Sequence, residues 1–69
     1  MPKYSVGVYN AEVREMVRAG QRHPNLKDSW ADTHYFDCDA ADRGEAMSKM
    51  SRRYPKNLGY VIADVLEYK

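Results

Sequence analysis

The sequence predicts an α/β fold: a small two-layer β-α-β-α-β domain, with a three-stranded mixed sheet and two helices on one face. Apolar residues alternate at period two in three segments and recur at helical spacing in two others. Both helical stripes are narrow, so two short helices suffice to cover one face of a sheet and not both. At 69 residues the chain reads as one domain, 1–69. A chain of this size buries about 60% of its unfolded surface, enough for one thin core and too little for a deep cavity.

The first strand runs from Tyr4 to Tyr9, with Tyr4, Val6 and Val8 on one side and Ser5, Gly7 and Tyr9 on the other. Asn10 stands where a helix N-cap belongs, and Glu12 is an acid in the first turn. Val13, Met16 and Val17 form the stripe of this short helix, which Gly20 stops. Residues 21–32 have no period. Leu26 and Trp30, four apart, predict one extra helical turn pinned by its apolar side. Trp30 either lids the core from there or stands out as a binding anchor.

Thr33 to Ala40 alternate again, with Phe36 and Cys38 marking the core side and Tyr35, Asp37 and Asp39 the other. Asp42 and Glu45 are spaced as a capping box. Ala46, Met47, Met50 and Tyr54 continue as a helical stripe that Pro55 ends. The last strand runs from Tyr60 to Glu67. Its two sets, Val61/Ala63/Val65 and Tyr60/Ile62/Leu66, are both partly apolar, which predicts a doubly covered strand or a bulge that shifts the register. Strand, helix and strand in the second half should close with their strands parallel. The first strand either inserts between them or takes an edge.

Charge narrows the function classes. The net charge is +1, against the strong excess of base that a dedicated nucleic-acid binder carries. Its distribution is uneven. Residues 28–42 hold Asp28, Asp32, Asp37, Asp39 and Asp42 with no base, and residues 43–56 hold Arg43, Lys49, Arg52, Arg53 and Lys56 against Glu45 alone. No apolar run is long enough for a membrane span and the N-terminal residues lack a signal-peptide core, so a cytoplasmic location is expected. The lone Cys38 fits a reducing compartment.

No phosphate-binding loop, H-E-x-x-H or C-x-x-C motif occurs. His34 and Cys38 share a strand face but stand roughly 13 Å apart, too far to share a zinc ion or form a nucleophilic pair. Asp37 and Asp39, at roughly 7 Å, match the spacing of paired glycosidase carboxylates but lack a cleft to raise one pKa. No metal, cofactor or catalytic residue is therefore assigned, and the chain is expected not to be an enzyme. Lys49, Arg52, Arg53 and Lys56 fall at i, i+3, i+4 and i+7, a basic helix face that could follow phosphates.

Met1-Pro2 opening a strand in so short a chain resembles the 4-oxalocrotonate tautomerase family, in which an amino-terminal proline is the catalytic base. The resemblance covers only Pro2 and the strand and helix after it. A second helix stands here where that family has a closing hairpin. It implies a small enzyme using Pro2 once Met1 is removed.

The reading carried forward is a small non-enzymatic protein-binding domain that docks on a larger protein or complex, as a monomer or homo-oligomer. Six tyrosines and one tryptophan are a high share for 69 residues, and such side chains dominate binding hot spots. Tyr9, Trp30 and Tyr35 are the expected anchors, with the strip Asp28, Asp32, Asp37 and Asp39 steering towards a basic partner. In size and style the chain looks like phage-type inhibitors of host machinery, anti-CRISPR proteins included, without a shared motif. A nucleic-acid-binding module using the second helix is the alternative.

Overall fold

The computed structural model describes residues 2–68. Strand β1 (Lys3–Asn10) leads directly into helix α1 (Ala11–Arg18), followed by a 3-10 turn at Asp28–Ala31. Strand β2 (His34–Asp39), helix α2 (Arg43–Arg53), a second 3-10 turn (Lys56–Leu58) and strand β3 (Tyr60–Glu67) complete the chain. No helix among the described residues is long and apolar enough to cross a membrane.

The sheet order is β2-β1-β3, so the first strand takes the centre. Both pairings are antiparallel. Strands β2 and β3 do run parallel, as the connection through α2 requires, but β1 lies between them. The expected mixed sheet is therefore antiparallel throughout. Inserting β1 gives each outer strand an antiparallel neighbour and leaves no parallel ladder.

Alternation in β1 places Tyr4, Val6, Val8 and Asn10 in the core. Opposite them, Val6 pairs with Phe36 on one side and Val65 on the other. The register against β3 slips once: Gly7 faces Asp64 and Val8 faces Ile62, which leaves Ala63 as the extra residue of a bulge. That bulge accounts for the two apolar sets in the last strand. Tyr60 and Ile62 point to the core before it, Val65 after it, and Val61 and Leu66 are left on the other face.

Helix α2 packs across all three strands through Ala46 and Met50, both buried. Its start is capped as expected: Glu45 N–H donates to Asp42 Oδ1 at 2.8 Å, while Glu45 Oε1 accepts from Ala41 N–H at 3.1 Å. Helix α1 departs from the expected layering, because it packs chiefly against the Asp28–Ala31 turn and only touches the sheet at β3. Of its stripe only Val13 is buried, and Val17 is 41% exposed. Eight residues growing straight out of the central strand are too few to fold back over it. The molecule is consequently elongated, 42 × 22 × 13 Å.

Asn10 joins these pieces. Its Oδ1 accepts from Glu12 N–H at 3.0 Å and Val13 N–H at 3.1 Å, and its Nδ2 donates to Leu58 O at 3.1 Å. The next rung, Ala11 N–H to Gly59 O at 2.7 Å, lies beside it. Gly59 has φ +93, and a Cβ there would sit 2.8 Å from Asn10 Oδ1. Only glycine lets the turn into β3 pass this close.

Candidate functional site

The sheet face away from α2 carries Lys3, Ser5, Gly7 and Tyr9 of β1 between Tyr35, Asp37 and Asp39 of β2 and Val61, Asp64 and Leu66 of β3. Helix α2 packs on the opposite side, and α1 reaches this face only at its end, where Arg14 covers Tyr9. Tyr35 is 56% exposed, Leu66 57% and Tyr68, just past β3, 50%.

Two phenols cross this face in opposite directions. The Tyr35 ring reaches from β2 over Gly7, and its hydroxyl donates to Asp64 Oδ2 of β3 at 3.0 Å. Tyr68 reaches back the other way, donating to Asp37 Oδ1 of β2 at 2.6 Å. Each spans the central strand and ties the two edges together. Gly7 makes the first crossing possible, since a Cβ there would come within 2.9 Å of Tyr35 Cε1 and of Thr33 Cγ2. Gly7→Ala should therefore push the Tyr35 ring aside and cost about 1–2 kcal/mol by overpacking. A denaturant midpoint equal to or above wild type would contradict that close approach.

Both phenols ionise above their ordinary value of 10.0, chiefly because each donates a hydrogen bond to a carboxylate. Tyr4 is raised as well, first by burial and then by Glu67. The unfolded chain releases these protons first, so their contribution to stability is complete below pH 10.0 and is lost as pH rises through the raised values. Urea midpoints should fall between neutral pH and roughly pH 11. The double variant Tyr35→Phe/Tyr68→Phe should flatten that fall, with Tyr4 leaving a residual slope. An unchanged slope in the double variant would contradict the two crossings.

The expected anchors divide. Tyr35 is on the bare face. Tyr9 is also there but half-buried, its ring covered by the Arg14 guanidinium at 3.6 Å, which Ala31 O holds through Nε at 2.8 Å. Trp30 lies on the opposite, core side. It packs on His34 at 4.7 Å, Tyr60 at 5.3 Å, Tyr54 at 5.6 Å and Phe36 at 6.3 Å between ring centroids. It is the lid and not an anchor of the bare face, because the Asp28–Ala31 turn delivers it to the side of β2 that carries Phe36. The acidic strip divides too. Asp37 and Asp39 are on the bare face, whereas Asp28 and Asp32 belong to the turn packed against α1. Of the Tyr60/Ile62/Leu66 set, part of which was expected on the uncovered face, Leu66 alone lies there, and Asp64 and Tyr68 join it from outside the expected set. Their signal was the bulge, which turns Asp64 and Leu66 to the side of Tyr35.

The basic residues do not form one stripe. Helix α2 ends at Arg53, and Pro55 sends Lys56 towards β3, where it lines a groove with Met47, Tyr54 and Tyr60. Lys49, Arg52 and Arg53 line a groove of about 460 Å³ on the β2 side, together with Asp37, Cys38 and Asp39. Lys49 is engaged there, donating to Asp39 O at 2.7 Å and lying 3.4 Å from Glu45 Oε1.

His34 Nε2 pairs with Ser29 O at 2.9 Å, and the Cys38 thiol is 3.8 Å from Asp39 O. Among the described residues no three His, Cys, Asp or Glu side chains gather as a metal site. Pro2 is exposed beside the start of β1, its carbonyl accepting from Ala40 N–H at 3.1 Å. Met1, whose removal the tautomerase resemblance requires, lies outside the described residues. No protein-family model matches this chain, and neither the curated proteins nor the solved structures contain a match.

Proposed function

We propose that this chain is a non-enzymatic protein-binding domain that docks on a basic surface of a larger protein through its bare sheet face. One observation carries the reading: Tyr35, Leu66 and Tyr68, each at least half exposed, share the sheet face opposite α2. Asp37, Asp39 and Asp64 surround them, while among the described residues the cations on this face are Lys3 and, at its far end over Tyr9, Arg14, so charge around the exposed rings favours a partner rich in lysine and arginine. The two phenol crossings hold Tyr35, Asp64, Tyr68 and Asp37 in place before any partner arrives, which lowers the entropy lost on binding. In its narrower form the reading is an inhibitor of the phage type, anti-CRISPR-like, whose aspartates occupy a nucleic-acid-binding groove by imitating phosphate. Direct nucleic-acid binding through Arg52 and Arg53 draws less support, because Asp37 and Asp39 line the same groove.

The test is affinity capture from a nuclease-treated lysate of the source organism, with wild type and Leu66→Lys side by side. Leu66 is exposed and outside both crossings, so the variant keeps the fold while placing a cation against a basic partner. A stoichiometric protein held by wild type and recovered at least tenfold less with the variant is the expected result. Equal recovery by both, or recovery only without nuclease, overturns the reading.

A further inference from the structure

We infer that the open edge of β2 is a docking site for an extended protein segment, which adds to the sheet as a fourth strand between β2 and the flank of α2. This rests on the protein-binding reading but uses the edge of the sheet and not its face.

Ala40 N–H donates to Pro2 O, and this rung fixes the alternation of the ladder. Cys38, Phe36 and His34 then turn their backbone groups to β1, while Tyr35, Asp37 and Asp39 turn theirs outward. Of these outward groups, the Asp39 carbonyl is already taken by Lys49 Nζ. An added strand would therefore pair along Tyr35 and Asp37 and end at Asp39. The other edge of the sheet is less suited, since the bulge at Ala63 breaks the regular spacing of β3.

Charge names the occupant. On the bare side the new strand would lie beside Asp37 and Asp39, and on the helix side beside Arg52 and Arg53, which line the groove with Cys38. Opposite charges on neighbouring strands stabilise pairing and like charges oppose it. The segment that fits has basic residues at alternate positions and acidic residues between them. A second copy of this chain fits poorly, because an antiparallel β2–β2 pairing centred on Asp37 sets that aspartate against itself. Backbone pairing would supply affinity and the alternating charges register, as in other strand-addition complexes.

The probe is a fluorescein-labelled heptapeptide alternating lysine and glutamate, titrated against the full chain by anisotropy. Two further versions carry N-methyl groups on one or the other alternate set of amides. One methylated version should lose binding at least tenfold and the other should bind like the parent, since only one set faces β2. Arg52→Ser/Arg53→Ser should weaken the parent peptide about tenfold, and hydrogen exchange should slow at the amides of Tyr35 and Asp37. Absence of binding, equal loss with both methylated versions, or slowed exchange confined to Leu66 and Tyr68 overturns the proposal. Failure here leaves the capture experiment with Leu66→Lys untouched, so the two readings fall separately.

Discussion

Replacing Asn10 with alanine is expected to lower the unfolding free energy by about 3 kcal/mol, which combines a lost helix cap of about 1 kcal/mol with buried polar groups left unpaired. Asn10 is fully buried, its bond from Val13 N–H is buried with it, and its bonds with Glu12 N–H and Leu58 O are partly buried, so these groups lose a partner that water replaces only in part. Asn10→Asp separates the two contributions. It keeps an oxygen for the two N–H donors but sets a carboxylate against Leu58 O, so it should fall between alanine and wild type at neutral pH. Urea unfolding followed by far-UV circular dichroism reads all three. A loss below about 1 kcal/mol for alanine would show that water replaces the side chain and that the junction is not sealed.

Trp30→Ala should be comparably destabilising, by about 3 kcal/mol, within the range for removing a large aromatic from a core. The indole touches four rings, and Phe36–Tyr54 and Tyr54–Tyr60 contacts at 5.1 and 5.2 Å continue the cluster around it. Removing it unpins the turn at Asp28–Ala31 and with it the support for α1. Trp30→Phe, which keeps an aromatic ring, should recover roughly half of the loss. Tyr35→Ala makes the contrast, because that ring is more than half exposed. If Trp30→Ala left the denaturant midpoint unchanged while Tyr35→Ala lowered it, the assignment of the two residues to opposite faces would be wrong.

Local chemistry was the legible part of this chain. The Asn10 cap, the Asp42/Glu45 box, the stop at Pro55 and the turn at Gly20, with φ +75, each depend on residues within a few positions of one another. The inner face of β1 was equally plain, because Tyr4, Val6 and Val8 alternate without interruption. Strand order was not, since the choice between a central and an edge position for β1 depends on contacts with residues about 60 positions away. The candidate site suffered for the same reason. Tyr35 could be placed from its own strand, but Trp30 has no face until the loop before it packs, and Asp64 and Tyr68 join the site only through partners on β2. The spacing of Lys49, Arg52, Arg53 and Lys56 looked like one stripe only while the helix was allowed to run past Arg53.

The central position of β1 also has a consequence for how the chain is made. Synthesis delivers β1 before both of its neighbours, and β3, whose Val65 meets Val6, emerges after every other element of the sheet. Until then Tyr4, Val6 and Val8 form an apolar strand with two open edges, which in a nascent chain invites aggregation or a chaperone. The sheet is thus expected to close only once β3 has emerged, and slowly for so small a domain, because closing long loops precedes most of its native contacts.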